Sequence, residues 1–346
     1  MTDGPGCDSM LPTNYSPPPG PQRPEREQVR SDYPLPLTAG NRVVSDTLPP
    51  VDGTLTIDKL AFTFDIPRDR WVAFQKWMHR HGLCHRGGRI YREAVEIPDP
   101  IDSRQEILIQ WAPYLINSVP FVRVEFNPAK ATGFEAVLQR HIFPLLERGW
   151  HQVSITRIDV AVDYPVALQE HVYFAGSHKG VVYYSDGIET VYLGSQHSDA
   201  RLRIYDKAKE MALKGGAAPE HPLTRVEAQR RPALLSGDEL HQLRNPFRRL
   251  QIARPLPAGL PFKFKLYFEH AEKYGVDATL KQLGRYERKR FKELLKAMPP
   301  TVRHPAEVFA KRYPHVCLEK FLLFYGFVRV PSDEEDGGEY QRSLAA

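Results

Sequence analysis

Between residues 51 and 240 the apolar positions switch between a period of two and a period near 3.6, so strands and helices alternate. Leu60-Ala-Phe-Thr-Phe64 alternates like a strand, and Arg70 to His79 spaces its apolar residues three and four apart like a helix, closed by Gly82. Further strands are predicted over 107–111, 121–126, 154–163, 190–193, 201–205 and 223–229, and a helix over 133–148 that ends near Gly149. Residues 194–199, Gly-Ser-Gln-His-Ser-Asp, make the pair 190–193 and 201–205 hairpin-like with a longer loop. The pattern predicts an α+β core, a central antiparallel sheet with flanking helices on one face. From 241 to 330 it turns helical. Over 282–297, Arg285, Arg288, Lys289, Lys292 and Lys296 recur three and four apart, with Leu283, Phe291, Leu294 and Leu295 supplying an apolar side.

The ends differ in kind. Residues 1–50 hold 11 of the 31 prolines, including Ser16-Pro-Pro-Pro19, and read as a disordered proline-rich arm. Residues 331–346, with Asp333-Glu-Glu-Asp336, read as a flexible acidic tail. Charge adds one point. The formal net charge of the 346-residue chain is only +5, but residues 241–330 carry 19 Lys or Arg against 7 Asp or Glu. That segment is the candidate footprint for a polyanion, against the plainer reading of a solvated helical surface. Three scattered cysteines, Cys7, Cys84 and Cys317, make a disulfide framework an unlikely design and a reducing, cytoplasmic setting the expectation. No apolar stretch approaches the length of a membrane span, so no membrane partner is expected.

Strand parity locates the candidate chemistry, because residues two apart share a face. Arg157, Asp159 and Asp163 lie on one face of their strand; Arg201, Arg203, Tyr205 and, if the strand continues, Lys207 on one face of another; Arg225, Glu227 and Gln229 on one face of a third. If these strands are neighbours, the faces form one polar surface. Taken singly, each Arg-x-acid strand reads as a salt-bridge ladder and a strand tyrosine as a packed aromatic. Together they suit phosphodiester cleavage by a side-chain oxygen, with Tyr205 as nucleophile. Mg²⁺ or Mn²⁺ on Asp159 and Glu227, with Arg203 and Lys207 nearby, would favour its ionised form, and Arg157, Arg203 and Arg225 would contact phosphate. His79, His81, Cys84 and His85 form a rival metal site. Residues two apart on a helix diverge by about 200°, so a basic helix terminus is the preferred reading. Arg123-Val-Glu125 repeats the Arg-x-acid pattern and reads as structural or supporting.

The ordered series 156–164, 190–199, 201–210 and 224–229 (Thr-Arg-Ile-Asp-Val-Ala-Val-Asp-Tyr, Thr-Val-Tyr-Leu-Gly-Ser-Gln-His-Ser-Asp, Arg-Leu-Arg-Ile-Tyr-Asp-Lys-Ala-Lys-Glu, Thr-Arg-Val-Glu-Ala-Gln) resembles the replication initiation factor family. That family contains rolling-circle plasmid and phage initiators and relaxases of some integrative elements. The resemblance implies a nickase-like initiator fold, a single catalytic tyrosine at Tyr205, and acidic metal ligands at Asp159 and at Glu227 or Glu210. The expected activity is nicking of a double-stranded replication origin at a single-stranded site, catalysed within 51–240 and supported by the basic region 241–330 (Arg285, Arg288, Lys289 and Lys292). It would leave a 5′-phosphotyrosine and a 3′-hydroxyl primer for a host helicase and polymerase. A second transfer at termination could use Tyr183 or Tyr184, or a second subunit in a homodimer. The rivals are a non-enzymatic DNA-binding regulator or decayed initiator, and a tyrosine recombinase, whose usual Arg, His and C-terminal helical Tyr are not apparent.

Overall fold

The central sheet is held in register by a run of apolar residues that changes phase once. In β1 (Thr54–Phe64), Leu55 and Ile57 face the core at odd positions and Leu60, Phe62 and Phe64 at even ones. The intervening Asp58-Lys59 is a bulge against β6, where the register jumps between Ile57 and Lys59. The computed structural model describes residues 49–321, apart from 82–83, 147–151, 177–179, 186, 216, 218, 233–234 and 257–258. The arm at 1–48 and the tail at 331–346 lie outside the described residues.

The chain continues through α1 (Trp71–His81), β2 (His85–Arg86), β3 (Tyr91–Pro98), β4 (Glu106–Pro113), β5 (Val122–Phe126) and α2 (Phe134–His141). Then follow β6 (Ser154–Tyr164), β7 (Val172–Ala175), β8 (Gly180–Ser185), β9 (Gly187–Leu193), β10 (Ala200–Asp206), α3 (Lys207–Leu213) and β11 (Thr224–Arg230). The last part is β12 (Leu250–Ala253), α4 (Phe262–Tyr274), α5 (Val276–Gln282), α6 (Arg285–Ala297) and α7 (Pro305–Lys320). Among the described residues ten strands form one sheet in the order β2-β3-β4-β5-β1-β6-β11-β10-β9-β8, every neighbouring pair antiparallel. The expected α+β architecture, with its antiparallel sheet, flanking helices and helical C-terminal region, is what the chain adopts.

One sheet face is apolar and carries helices. Phe74 and Met78 of α1, Phe134 and Leu138 of α2, and Phe309, Tyr313 and Cys317 of α7 pack with Phe62, Trp111, Val124 and Val160 in the main core. A second, smaller core gathers Phe174, Phe264, Phe268, Phe291 and Leu294 from β7, α4 and α6. The region after 241 therefore contributes α7 to the main core and α4 and α6 to its own.

Several expectations differ from the structure. The helix begun at Phe134 stops at His141 and gives way to a 3-10 turn at Phe143–Leu145, because Pro144 lacks the amide a continuing helix needs and disfavours helical backbone before it. Strand β3 was not anticipated: its Arg, Glu and Ala favour helices, although Tyr91, Val95 and Ile97 are buried at alternate positions. The helical reading of 241–330 omitted β12, which pairs with β7 in a separate two-stranded sheet.

Candidate active site

The three strands with charged faces are immediate neighbours, β6, β11 and β10. Their register sets Tyr205 opposite Arg225, Arg203 opposite Glu227, Arg225 opposite Asp163 and Gln229 opposite Asp159. Ile158, Val160, Val162, Leu202, Ile204, Val226 and Ala228 are buried on the other side. The polar faces thus merge into one surface, with the apolar faces anchored in the core.

Most charges on this surface are closed into pairs. Arg157 donates to both oxygens of Asp159, Nε to Oδ1 at 3.0 Å and Nη2 to Oδ2 at 2.6 Å. Arg225 grips Asp163 in the same two-pronged way at 2.6 Å on each prong, and its Nη1 donates to Asp58. Only 8% exposed, Arg225 has no free edge for a phosphate and holds strands β1, β6 and β11 together instead. Lys207 is not a strand residue: Asp206 caps α3 by accepting from the Lys209 amide, and Lys207 opens that helix. Its Nζ bonds Glu210 Oε2 at 2.5 Å, and Lys214 takes Glu210 Oε1 at 2.9 Å. Burial works to raise the Glu210 carboxyl, but hydrogen bonds from Lys207 and Lys214 outweigh it and hold the pKa down at about 2.

Two groups are left open. Glu227 is in no ion pair among the described residues, and its Oε2 accepts a hydrogen bond from the Tyr205 hydroxyl at 3.3 Å. Burial first, then the negative charges of Asp159 and Asp58, raise its pKa from the usual carboxylate value, against Arg203 and Arg225. The Arg203 guanidinium lies 3.9 Å from the Tyr205 ring centroid, and its Nε is buried without an acceptor among the described residues. Its nearest acid is Glu210, 3.9 Å away.

Tyr205 is 3% exposed. Contrary to the expectation that nearby cations favour its ionised form, its pKa is raised, by burial first and by Glu227 next, with Arg225 and Arg203 only partly opposing. Of the surrounding positive charge, that of Arg225 and Lys207 is already spent on carboxylates.

Asp159, 3% exposed, also has a raised pKa, because burial and neighbouring Asp58 outweigh Arg157 and Lys59. Asp159, Glu227 and Asp58 therefore repel one another across the polar surface. Among the described residues, however, no three His, Cys, Asp or Glu side chains are gathered closely enough to hold a metal ion. Of the histidine alternative, His79 pairs with Glu93 at 2.7 Å and His85 lies 3.9 Å from Glu96, while the His81 side chain lies outside the described residues. Tyr183 and Tyr184 belong to β8, two strands from β10 with β9 between, and their side chains lie outside the described residues.

Several known proteins are similar in sequence to about half of this chain. A replication initiation protein of Staphylococcus aureus is 31% identical over 190 residues, 52% of this chain and 56% of that protein. Two more from the same organism are 29% identical over 192 residues and 30% identical over 188, covering 55% of each. Over that aligned half the chain is similar to replication initiation proteins. The chain spans about half the length of the curated relatives it matches. No family model matches. The solved rolling circle replication initiator protein from Geobacillus stearothermophilus is 16% identical over 73% of this chain and 99% of its own, with a TM-score of 0.33, too low to carry an argument.

A second charged feature is the cationic helix α6. Arg285, Lys289, Lys292 and Lys296 are exposed along α6 and in no ion pair among the described residues, while Phe291 and Leu294 anchor the helix in the second core. Arg288 is exposed but bonds the Leu280 and Leu283 carbonyls at 2.8 and 3.1 Å. Asp58 was overlooked in the sequence, yet the phase change from Leu55 and Ile57 to Leu60 and Phe62 marks a bulge that turns two adjacent polar residues to one side. No helix among the described residues is long and apolar enough to cross a membrane.

A carboxyl whose folded pKa is raised binds its proton more tightly when folded, so its ionised form weakens the fold above that pKa. Glu227→Gln should therefore raise the melting temperature at about pH 8, and the difference should shrink as pH falls through the carboxylate range. An equal or lower melting temperature in the variant at the higher pH would contradict the assignment of Glu227 as the uncompensated charge.

Proposed function

We propose that the chain is a rolling-circle replication initiator that nicks origin DNA through Tyr205. The observation that carries this reading is the hydrogen bond from Tyr205 to a carboxylate without a cation partner, on an open polar sheet face, in a relative of replication initiation proteins. Tyr205 Oη attacks the scissile phosphorus and passes its proton to Glu227, whose raised pKa suits it as acceptor. The new bond joins phosphorus to the tyrosine oxygen; the bond to the 3′ oxygen breaks, and that oxygen takes a proton to become the 3′-hydroxyl. The product is a 5′-phosphotyrosine. Arg203 turns its unspent Nε–H to the phosphate oxygens, which also uncovers the tyrosine ring. Arg225 acts by fixing Asp58 and Asp163, not by touching DNA.

For a hard divalent cation, Glu227 is the carboxylate left without a cation partner, and Asp159 would join it only by releasing Arg157, which takes both its oxygens. Glu210 is closed in the same way, with both its oxygens taken by lysines. Mg²⁺ or Mn²⁺ there would supply positive charge to neutralise the non-bridging oxygens and favour ionised tyrosine. A host helicase and polymerase would use the primer, and termination would draw on Tyr183, Tyr184 or a second subunit.

A second reading, a DNA-binding regulator or decayed initiator, draws on the burial of Tyr205. Supercoiled plasmid carrying the cognate origin separates the two. Metal-dependent nicking with a covalent 5′ adduct is expected, absent in Tyr205→Phe and slowed about a hundredfold in Glu227→Gln. Origin binding without nicking in the wild type would leave only the regulator.

For α6 the expected role is backbone contact with the duplex. Lys289→Ala with Lys292→Ala should weaken duplex binding uniformly across sequences and reduce the log–log salt slope by about two. An unchanged slope would remove α6 from the interface.

A further inference from the structure

At the opposite edge of the sheet from β10, two loops meet around an exposed tyrosine. The β2–β3 turn is tight: a Cβ on Gly87 would come within 2.5 Å of the Glu93 carbonyl, and Gly88 has φ +100°. The Gln110 amide donates to the Gly87 carbonyl, and the Tyr114 amide donates to Ile90 O at 2.9 Å, tying the turn to the β4–β5 loop. Arg86 Nε donates to the Tyr114 hydroxyl at 3.3 Å, and the Arg92 guanidinium lies 5.8 Å from its ring centroid. Tyr114 is 39% exposed, and Leu115 beside it is 72% exposed.

The charge at this corner is unbalanced. Arg86, Arg89 and Arg92 are in no ion pair among the described residues, while the hairpin's acids, Glu93 and Glu96, face His79 and His85. Arg92 also shares the face of the nucleophile: it is two residues from Ala94, the partner of Gln110, which accepts from Arg123 Nη1 at 2.6 Å. β3 and β10 are six strand steps apart, ~29 Å at about 4.8 Å per step.

We propose that this corner is a second DNA contact that takes single-stranded DNA. Tyr114 offers its ring to an unstacked base and the three arginines neutralise the flanking phosphates. Unpaired arginines around a solvent-facing aromatic select a polyanion with free π-faces. Bases of an intact duplex present no such faces. The inference rests on the reading that this chain works on DNA, and it assigns a remote grip for the strand opened at the nick.

Fluorescence anisotropy with a labelled oligothymidylate and a duplex of equal length, using the full chain, tests it. Tyr114→Ala should lose at least about fivefold in single-strand affinity, and Tyr114→Phe should stay near wild type. Arg86→Ala with Arg89→Ala and Arg92→Ala should lose about tenfold or more and flatten the single-strand salt slope by about two. Unchanged single-strand affinity in both the Tyr114→Ala and the triple variant, at unchanged melting temperature, would overturn the proposal. So would an equal loss on the duplex. None of these residues touches Tyr205, so adduct formation at saturating oligonucleotide should remain at the wild-type level. A wild type that forms no adduct yet shows these affinity losses would count against nicking and leave this contact standing.

Discussion

The site depends on one buried arginine. Arg225 sits between Asp163 on β6 and Asp58 from the β1 bulge, and it couples three adjacent strands at the middle of the sheet. Charges this far from water persist only when paired, and stripping one partner from such a group costs about 3–5 kcal/mol. The bulge lets β1 turn both Leu55 and Ile57, and beyond it Leu60, Phe62 and Phe64, toward the core.

Once Arg225, Arg157, Lys207 and Lys214 are committed, the surface divides into closed and open charges. The closed ones fix geometry: Arg157 with Asp159, Arg225 with Asp58 and Asp163, and the lysines with Glu210. The open ones are Glu227, raised by its acidic neighbours, and Arg203, stacked on Tyr205 with a donor unspent. The proposed chemistry belongs to that remainder. Tyr205 packs with 3% exposure and also bonds an unbalanced carboxylate, so its packing does not by itself exclude the proposed role.

Much of this was legible in the sequence, because period-two alternation directly determines which residues share a face. Strands β6, β10 and β11 and the polar face of each follow from Arg157, Asp159, Arg203, Tyr205, Arg225 and Glu227; that the three are neighbours, which merges the faces, comes from the fold. Partner choice was not legible. Whether an arginine reaches a phosphate or a neighbouring acid depends on cross-strand register and on Asp58, from about a hundred residues earlier in β1 than β6. Glu210 and Glu227 could not be separated by spacing; Lys207 and Lys214 separate them in the fold. Strand β3 was hidden by helix-favouring residue types, although its buried residues alternate.

The central claim is that the oxygen of Tyr205, and no other, forms the bond to DNA. It is tested most directly by trapping the chain with a single-stranded oligonucleotide spanning the nick site in Mg²⁺, digesting it, and locating the nucleotide-bearing peptide by mass spectrometry. The account predicts the 5′-phosphate remnant on Tyr205. A remnant on Tyr183, Tyr184 or any other residue, with Tyr205 unmodified, would contradict it.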